Sequence, residues 1–328
     1  MEDLINNLIK ATGWSILHSL WQGAIIYALL FAVMMALPKT SAKVKHNLAF
    51  GSLLLMFLSF CITFFWVFEI PLSNHNHIEL NQIAYLDLVK LGSDFNFKTE
   101  SYFPVLVSVY TVGIAFQFIF LLTGYLKLKQ LKKVNTLAVP MLWKSVFELA
   151  IAKLKINKTV AFYLSSKVNV PLVIGFFKPV ILFPVALATQ LDLEQVEAIL
   201  IHELSHIRRN DYVINLIKTC IETLLFFNPF IWLTTKFIHI EREHACDDLV
   251  LRLTATPLTY AHALLKLEQS KDNQSASLAM AATGTNQHLF QRIKRITNMK
   301  TNYMNAKQKL FVDANHYYNS LSSLDQSK

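Results

Sequence analysis

The sequence predicts a mainly α-helical membrane protein in which three transmembrane helices precede an α+β domain. Hydrophobic residues make up 53% of the 328 residues, charged residues make up 16%, and the mean hydropathy is +0.37. This composition is too apolar for an ordinary soluble domain. The segments at residues 14–36, 48–68 and 103–126 are each long enough to cross a hydrocarbon layer of about 30 Å. We therefore assign residues 1–126 to a transmembrane region.

Lysine positions predict the orientation of these spans. The loop at residues 71–101 has two lysines and four acidic residues. Lysines crowd the other two flanks, at Lys39, Lys43 and Lys45 after the first span and at Lys127, Lys129, Lys132 and Lys133 after the third. Because positive loops stay inside, we expect the N-terminus and the loop at 71–101 to face outward. The domain after Lys127 should then lie on the cytoplasmic side of the cell (inner) membrane.

The pentapeptide at residues 202–206 has the sequence His-Glu-Leu-Ser-His, an HExxH motif. On a helix, His202 and His206 point the same way and can share one Zn²⁺ ion, while Glu203 reaches the metal-bound water as general base. Asp192 is a predicted N-cap of this helix, with Gln195 placed to reach back to it. The motif predicts a zinc metallopeptidase, although chance matches to it also occur on ordinary amphipathic helices.

A catalytic zinc site usually has three protein ligands and an open position, so a third ligand is required. Glu243 is the best candidate, because Asp247 stands one helical turn later and could orient a ligating histidine from the second shell. Spacing alone does not exclude Glu241. His244 and Cys246 are metal-capable but less favoured, since a short charged run is usually a solvated helix face.

The chain resembles the BlaR/MecR-type membrane zinc metallopeptidases in several stretches taken in order. These are residues 17–23, 170–184, 202–212, 227–232 and 243–247. The resemblance implies a gluzincin-like hydrolase that acts in signal transduction as an antirepressor. It also implies that the glutamate at the position of Glu243 is the third zinc ligand.

A fourth apolar stretch, residues 213–237, is predicted to be a helical hairpin rather than a span. If it crossed the bilayer, His202 and Glu243 would lie on opposite sides and could not bind one ion. Lys218, Glu222 and the pair Asn228-Pro229 are also unfavourable in the middle of a bilayer. We place the hairpin at residues 211–250, turning at Asn228-Pro229 and packing on the core or the membrane face. It lies within a metallopeptidase domain at residues 127–270.

The region between the third span and the zinc motif is basic and contains predicted strands. Residues 127–167 hold nine lysines and one acidic residue. Their position beside a membrane span favours binding to anionic lipid headgroups over direct nucleic-acid binding. Residues 159–164 and 168–185 are predicted strands, and an edge strand beside the zinc helix would offer a substrate peptide a partner.

Residues 271–328 are predicted to be a polar basic tail, with a short basic helix at 291–296. The receptors of the family continue into a penicillin-binding sensor domain, which we do not expect in this chain, and a truncated gene product is an open alternative. We expect no β-lactam binding by the chain, so that the signal would come from a sensor partner, a homo-oligomer or the membrane spans.

Two classes of function remain. The first is a zinc endopeptidase that cleaves a cytoplasmic or membrane-associated regulatory protein, for which a transcriptional repressor is one candidate. The second is a non-catalytic signalling subunit with a structural metal site. A housekeeping membrane-protein zinc protease is a related alternative to the first. Glu203 and the open coordination position favour an enzyme.

Overall fold

The computed structural model describes residues 2–68, 99–132, 137–254, 256–272 and 282–297. Helices predominate, and the chain divides into two compact units. The first unit is drawn from Met1–Phe31, His46–Val134 and Asn210–His239, and the second from Ala32–Lys45, Asn135–Arg209 and Ile240–Lys328. Residues 71–98 of the predicted outward-facing loop and the end of the predicted tail at 298–328 lie outside the described residues.

The first unit contains the N-terminal helices α1 (Glu2–Ala36), α2 (Ala42–Val67) and α3 (Phe103–Lys132). Each is long and apolar enough to cross a membrane, in α3 over Phe103–Leu126. These helices include the three predicted spans. Small residues permit close packing between them: a Cβ on Gly13 would lie 2.5 Å from the Phe103 ring.

A pair of shorter helices follows the zinc-motif helix along the chain. They are α6 (Asp211–Leu224) and α7 (Pro229–Leu253). The chain turns between them at Asn228, whose side-chain oxygen accepts a hydrogen bond from the Phe230 amide at 3.0 Å. Pro229 then begins α7, where its missing amide proton costs no helical hydrogen bond. The helix break coincides with the predicted turn, and α7 contributes residues up to His239 to the first unit and its remainder to the second.

The second unit is an α+β domain. It contains α4 (Met141–Leu154), strands β1 (Ala161–Ser165), β2 (Leu172–Ile174) and β3 (Val180–Pro184), and a 3₁₀ turn at Val185–Leu187. Helices α5 (Leu193–Arg208), the end of α7, α8 (Pro257–Asp272) and α9 (Ala282–Thr297) complete it. The strand order is β1-β3-β2, with β3 parallel to β1 and antiparallel to β2. The strand β2 is therefore an edge strand, and it contacts α5.

Helix α5 lies at the centre of this domain because of its sequence. Asp192 and Gln195 form a capping box at its start, as predicted, which satisfies the first amide groups. Val196, Leu200 and Leu204 are fully buried against α4, the sheet and α8. Such a buried stripe fixes the rotation of the helix, and the face that carries the histidines is thereby fixed as well.

Residues 282–297, predicted to be part of a polar tail, form α9 and pack in the second unit against α8. The predicted basic helix at 291–296 lies within α9. Ile296 is almost completely buried in the core, which explains why this segment is ordered despite its polar composition.

Candidate metal centre

Helix α5 brings His202 and His206 side by side. They are four residues apart, and their ring centroids lie 5.0 Å from each other with the rings nearly perpendicular. His202 is buried, with 7% of its surface exposed. The spacing of one helical turn therefore produces the convergence of imidazoles that the motif predicted.

Glu243 of α7 is the carboxylate that joins the two histidines. Its Oε2 lies 3.4 Å from Nε2 of His202, and ligand atoms of His202, His206 and Glu243 all lie within 4.8 Å of one another. Glu241 belongs to a different contact, in which its Oε2 lies 3.6 Å from Nδ1 of His244. The structure thus brings Glu243, and not Glu241, to the histidine pair.

The separation of the His202 and Glu243 donor atoms fits a zinc ion. Zn–N and Zn–O bonds of about 2.0–2.1 Å at a tetrahedral angle place two ligand atoms about 3.3–3.4 Å apart. The distance of 3.4 Å between His202 and Glu243 matches this value. Two imidazoles and one carboxylate are also the donor types that catalytic zinc takes when it keeps a fourth position open.

The second nitrogen of His202 is held by two buried groups. Its Nδ1 lies 2.9 Å from the Tyr260 hydroxyl and 3.3 Å from Oδ1 of Asp247. The single hydroxyl proton of Tyr260 is donated to Asp247 over 2.6 Å. The phenol oxygen must therefore accept a hydrogen bond from Nδ1 of His202, which leaves Nε2 as the nitrogen that faces Glu243.

Asp247 is completely buried, and Arg292 of α9 compensates its charge. Arg292 donates from Nη2 to Oδ1 over 2.7 Å and from Nε to Oδ2 over 2.9 Å. Burial alone would raise the pKa of Asp247, but the Arg292 charge and the hydrogen bonds from His202 and Arg292 hold it well below its usual range. Asp247 is therefore an anion that accepts hydrogen bonds from both sides.

Burial and neighbouring groups have opposite effects on the pKa values of His202 and Glu243, which face each other. Burial lowers the pKa of His202, but hydrogen bonds to Asp247 and Glu243 outweigh it and raise the pKa to about 9. Burial also disfavours the ionised form of Glu243, yet the contact with His202 and the charges of His206 and Arg292 bring the pKa of Glu243 well below its usual range. The pocket therefore stabilises positive charge at His202, where a cation would bind.

Glu203 lies on the same helix beside the histidine pair. Burial raises the pKa of its carboxyl group, and the nearby His202 and His206 partly offset this effect. A raised pKa makes the carboxylate a stronger proton acceptor, which suits a general base. His206 in turn has Nδ1 3.4 Å from Sγ of Cys246, so that Cys246 contacts a histidine of the site.

Sequence reasoning missed Tyr260 and Arg292. Tyr260 was not singled out in the sequence, and it is fully buried in α8. Arg292 stood in a segment predicted to be a tail. One signal could have pointed to it: Asp247 and Asp248 form an acidic pair, and Arg292 and Arg295, three residues apart on one helix face, pair with them in the structure.

Comparison with known proteins identifies the family of the chain. The model described as BlaR1 peptidase M56 matches residues 16–296. The regulatory protein BlaR1 of Bacillus licheniformis is 25% identical over 197 residues, which are 59% of this chain and 33% of that protein. The methicillin resistance mecR1 protein of Staphylococcus aureus (strain Mu50 / ATCC 700699) is 25% identical over 143 residues, which are 43% of this chain and 24% of that protein. The matches thus span a third or less of these relatives. Because the family model covers most of the chain, the protein belongs to the BlaR1 peptidase M56 family.

Proposed function

We propose that this protein is a membrane-bound zinc endopeptidase whose active site faces the cytoplasm. One observation carries the proposal. Three donors of the zinc-peptidase type converge, and Nδ1 of His202, one of the three, is held by the buried Tyr260 and Asp247. Membership of a peptidase family and three apolar helices support the same function.

In this proposal His202, His206 and Glu243 hold the ion, and Asp247 and Tyr260 orient His202. The ion would supply Lewis acidity, which activates water and polarises the scissile carbonyl group. A histidine held at Nδ1 by a carboxylate is a better and more rigid donor at Nε2. The buried residues therefore set the position of the donors before any ligand binds.

Glu203 is the proposed catalytic residue. Its carboxylate would accept a proton from the attacking water and return it to the amine nitrogen that leaves when the peptide bond breaks. Burial raises the pKa of Glu203, which keeps the carboxylate basic enough for the first transfer and acidic enough, once protonated, for the second.

The edge strand β2 is the proposed partner for an extended substrate. It pairs only with β3 within the sheet and contacts α5, the helix of the two histidines. A peptide added as a further strand would run alongside the zinc helix and would be held by main-chain hydrogen bonds. This mode favours an unfolded or loop segment over a helix as the cleaved region.

The proposed substrate is a cytoplasmic or membrane-associated regulatory protein. The two relatives named above have names that refer to regulation and to methicillin resistance. A transcriptional repressor is the form of substrate that the antirepressor role of the resembled family implies. The lysine-rich segment at residues 127–167 would hold the domain at anionic headgroups near such a substrate.

Metal analysis of purified variants tests the proposal. His202→Ala, His206→Ala and Glu243→Ala should each bring zinc well below one per chain, whereas Glu203→Gln should keep zinc and lose proteolysis. Glu241→Ala is the matched control, because it removes a carboxylate two residues from Glu243 that does not face the histidines. Full zinc retention in Glu243→Ala would refute the ligand set. Undiminished proteolysis in Glu203→Gln would leave a different residue as the base, and zinc binding without any proteolysis in the wild type would favour a structural metal site.

A further inference from the structure

Helix α6 has partly buried polar residues and mostly apolar exposed residues, which is the reverse of the pattern of a helix in water. The side chains of Lys218, Thr219 and Glu222 are partly buried. The exposed residues are mostly apolar, and they include Leu216 at 53% and Ile217 at 37%. A helix in water buries its apolar face, so this arrangement is that of a helix with its apolar face towards lipid and its polar face towards protein.

The turn between α6 and α7 contacts α1 near the middle of its candidate span and α3 within the first third of its candidate span. Asn228 donates a hydrogen bond to the carbonyl oxygen of Ser19 in α1 over 2.9 Å. The hydroxyl group of Tyr110 in α3 donates to the carbonyl oxygen of Leu224 over 3.0 Å. Helix α6 has 14 residues and is about 21 Å long, which is shorter than a bilayer core of about 30 Å. The helix pair therefore enters the membrane layer and turns back within it.

A groove of about 620 Å³ lies between α3 and α6 and extends from Phe226 at the turn to Tyr125 and Tyr212. Its α3 side is mainly apolar and aromatic but includes Gln117, whereas its α6 side carries Asn215, Thr219 and Glu222 beside the apolar Leu216. Gly124 also lines it, and a Cβ at this position would meet nothing within 4 Å. The volume is in the range of ligand-binding clefts.

The chemistry of the two sides of the groove indicates which kind of molecule in a bilayer would bind there. A lipid acyl chain would leave the amide of Asn215 and the hydroxyl of Thr219 without partners in an apolar layer. An anionic headgroup is disfavoured, because Glu222 faces the groove and the Nζ of Lys218 is already 2.9 Å from its carboxylate. A non-helical stretch of polypeptide has the matching chemistry, since its unpaired N–H and C=O groups need hydrogen-bond partners and its side chains need an apolar wall.

We propose that this groove binds an uncharged, non-helical stretch of a membrane-inserted partner polypeptide. The neutral amide and hydroxyl groups of α6 would replace the hydrogen bonds that a break in the partner's helix leaves open, and the rings of α3 would contact its side chains. This site is separate from the donors of the metal centre and does not depend on the proposed proteolysis.

The test uses the full chain with Glu203→Gln, in liposomes, so that bound peptide is not cleaved. The probes are two labelled transmembrane peptides of about 20 residues, one a continuous leucine helix and one with a central Gly-Pro-Gly break. A benzophenone amino acid at Phe120 reports on the groove. The same group at Phe118, which is 63% exposed on α3 and does not line the groove, is the control.

Crosslinking at position 120 should favour the broken peptide by about 10-fold, as two hydrogen bonds in a membrane would produce, and position 118 should show no preference. Gly124→Leu should remove the preference by filling the groove. The matched control Gly51→Leu, in α2, should keep it, because a Cβ there also meets nothing within 4 Å. Equal crosslinking of both peptides, crosslinking of phospholipid alone at position 120, or an unchanged preference in Gly124→Leu would overturn the proposal.

Discussion

Replacing Arg292 with methionine should strongly destabilise the second unit. Asp247 is 0% exposed, and it would lose two hydrogen bonds of 2.7 and 2.9 Å together with the only positive charge that bonds to both of its oxygens among the described residues. Breaking a buried ion pair from one side costs about 3–5 kcal/mol. Methionine keeps the length of the side chain, so that the cost comes mainly from the unpaired carboxylate.

Thermal unfolding in detergent, with zinc loaded and with zinc removed, measures this cost. We expect the transition to fall by an amount on the order of 10 °C, and more in the zinc-free form, where no ion compensates the site. Zinc content is a poorer readout, because losing Arg292 weakens the positioning of His202 but also removes a cation that repels the metal.

A double-mutant cycle isolates the pair. Asp247→Asn combined with Arg292→Met should recover most of the loss in stability, because the buried charge is then absent, and the coupling energy should be about 3 kcal/mol. Arg292→Lys keeps the charge but not the two parallel bonds, and it should fall between the wild type and Arg292→Met. If Arg292→Met unfolds within 1 °C of the wild type in both forms, α9 does not hold the site together.

Three further predictions concern Tyr260, Gly113 and the orientation of the chain in the membrane. Tyr260→Phe should weaken zinc binding by roughly 10-fold in a competition titration, since Nδ1 of His202 keeps only the longer contact with Asp247; unchanged affinity would remove Tyr260 from the site. Gly113→Ala should lower the unfolding free energy by about 1–3 kcal/mol, because the new Cβ would overlap the Phe226 ring. Gly124→Ala should not lower it, because a Cβ there meets nothing within 4 Å. Equal stability of the two variants would contradict the packing at the helix turn. Reporters fused after Lys133 and after Asp248 should both signal the cytoplasm and one near Asn81 the outside, and opposite signals from the first two would exclude the proposed orientation.

Local sequence patterns predicted the elements whose causes are local. The apolar length of the three N-terminal helices, the capping box at Asp192 and the break at Asn228-Pro229 all act within a few residues of chain. The same is true of His202 and His206, whose convergence needs only one helical turn. These features could be read from the sequence because no distant residue is required to produce them.

The parts that the sequence left open or did not reveal depend on distant residues. Glu243 and Glu241 are both acidic and two positions apart, and only the rotation of α7 against α5 decides which one reaches His202. Tyr260 and Arg292 lie on helices whose packing is set by the shared core, in which Leu264 and Ile296 are buried. Amphipathic patterns predict that such helices bury one face, but not which polar side chain at its border will meet a buried carboxylate.

The hydrogen bonds of Asp247 support the proposal that it orients His202 and is not itself a ligand. Its Oδ1 accepts hydrogen bonds from Tyr260 and Arg292 and lies 3.3 Å from Nδ1 of His202, while its Oδ2 accepts from Arg292. Both oxygens of Asp247 are thus engaged by protein donors, which favours the proposed role of orienting His202 over that of binding the ion.

The two oxygens of the Glu243 carboxylate have different partners. Its Oε1 accepts two hydrogen bonds from Arg242, at 3.0 and 3.2 Å, which fix the plane of the carboxylate. Its Oε2 faces Nε2 of His202 at 3.4 Å, and Arg292 approaches this oxygen only to 3.5 Å, beyond its contacts with Asp247. One oxygen is therefore anchored and the other is presented at the separation that two ligands of a tetrahedral zinc ion require. Both carboxylates are buried and both face His202, so the roles proposed for them differ because the neighbouring arginines engage each carboxylate differently.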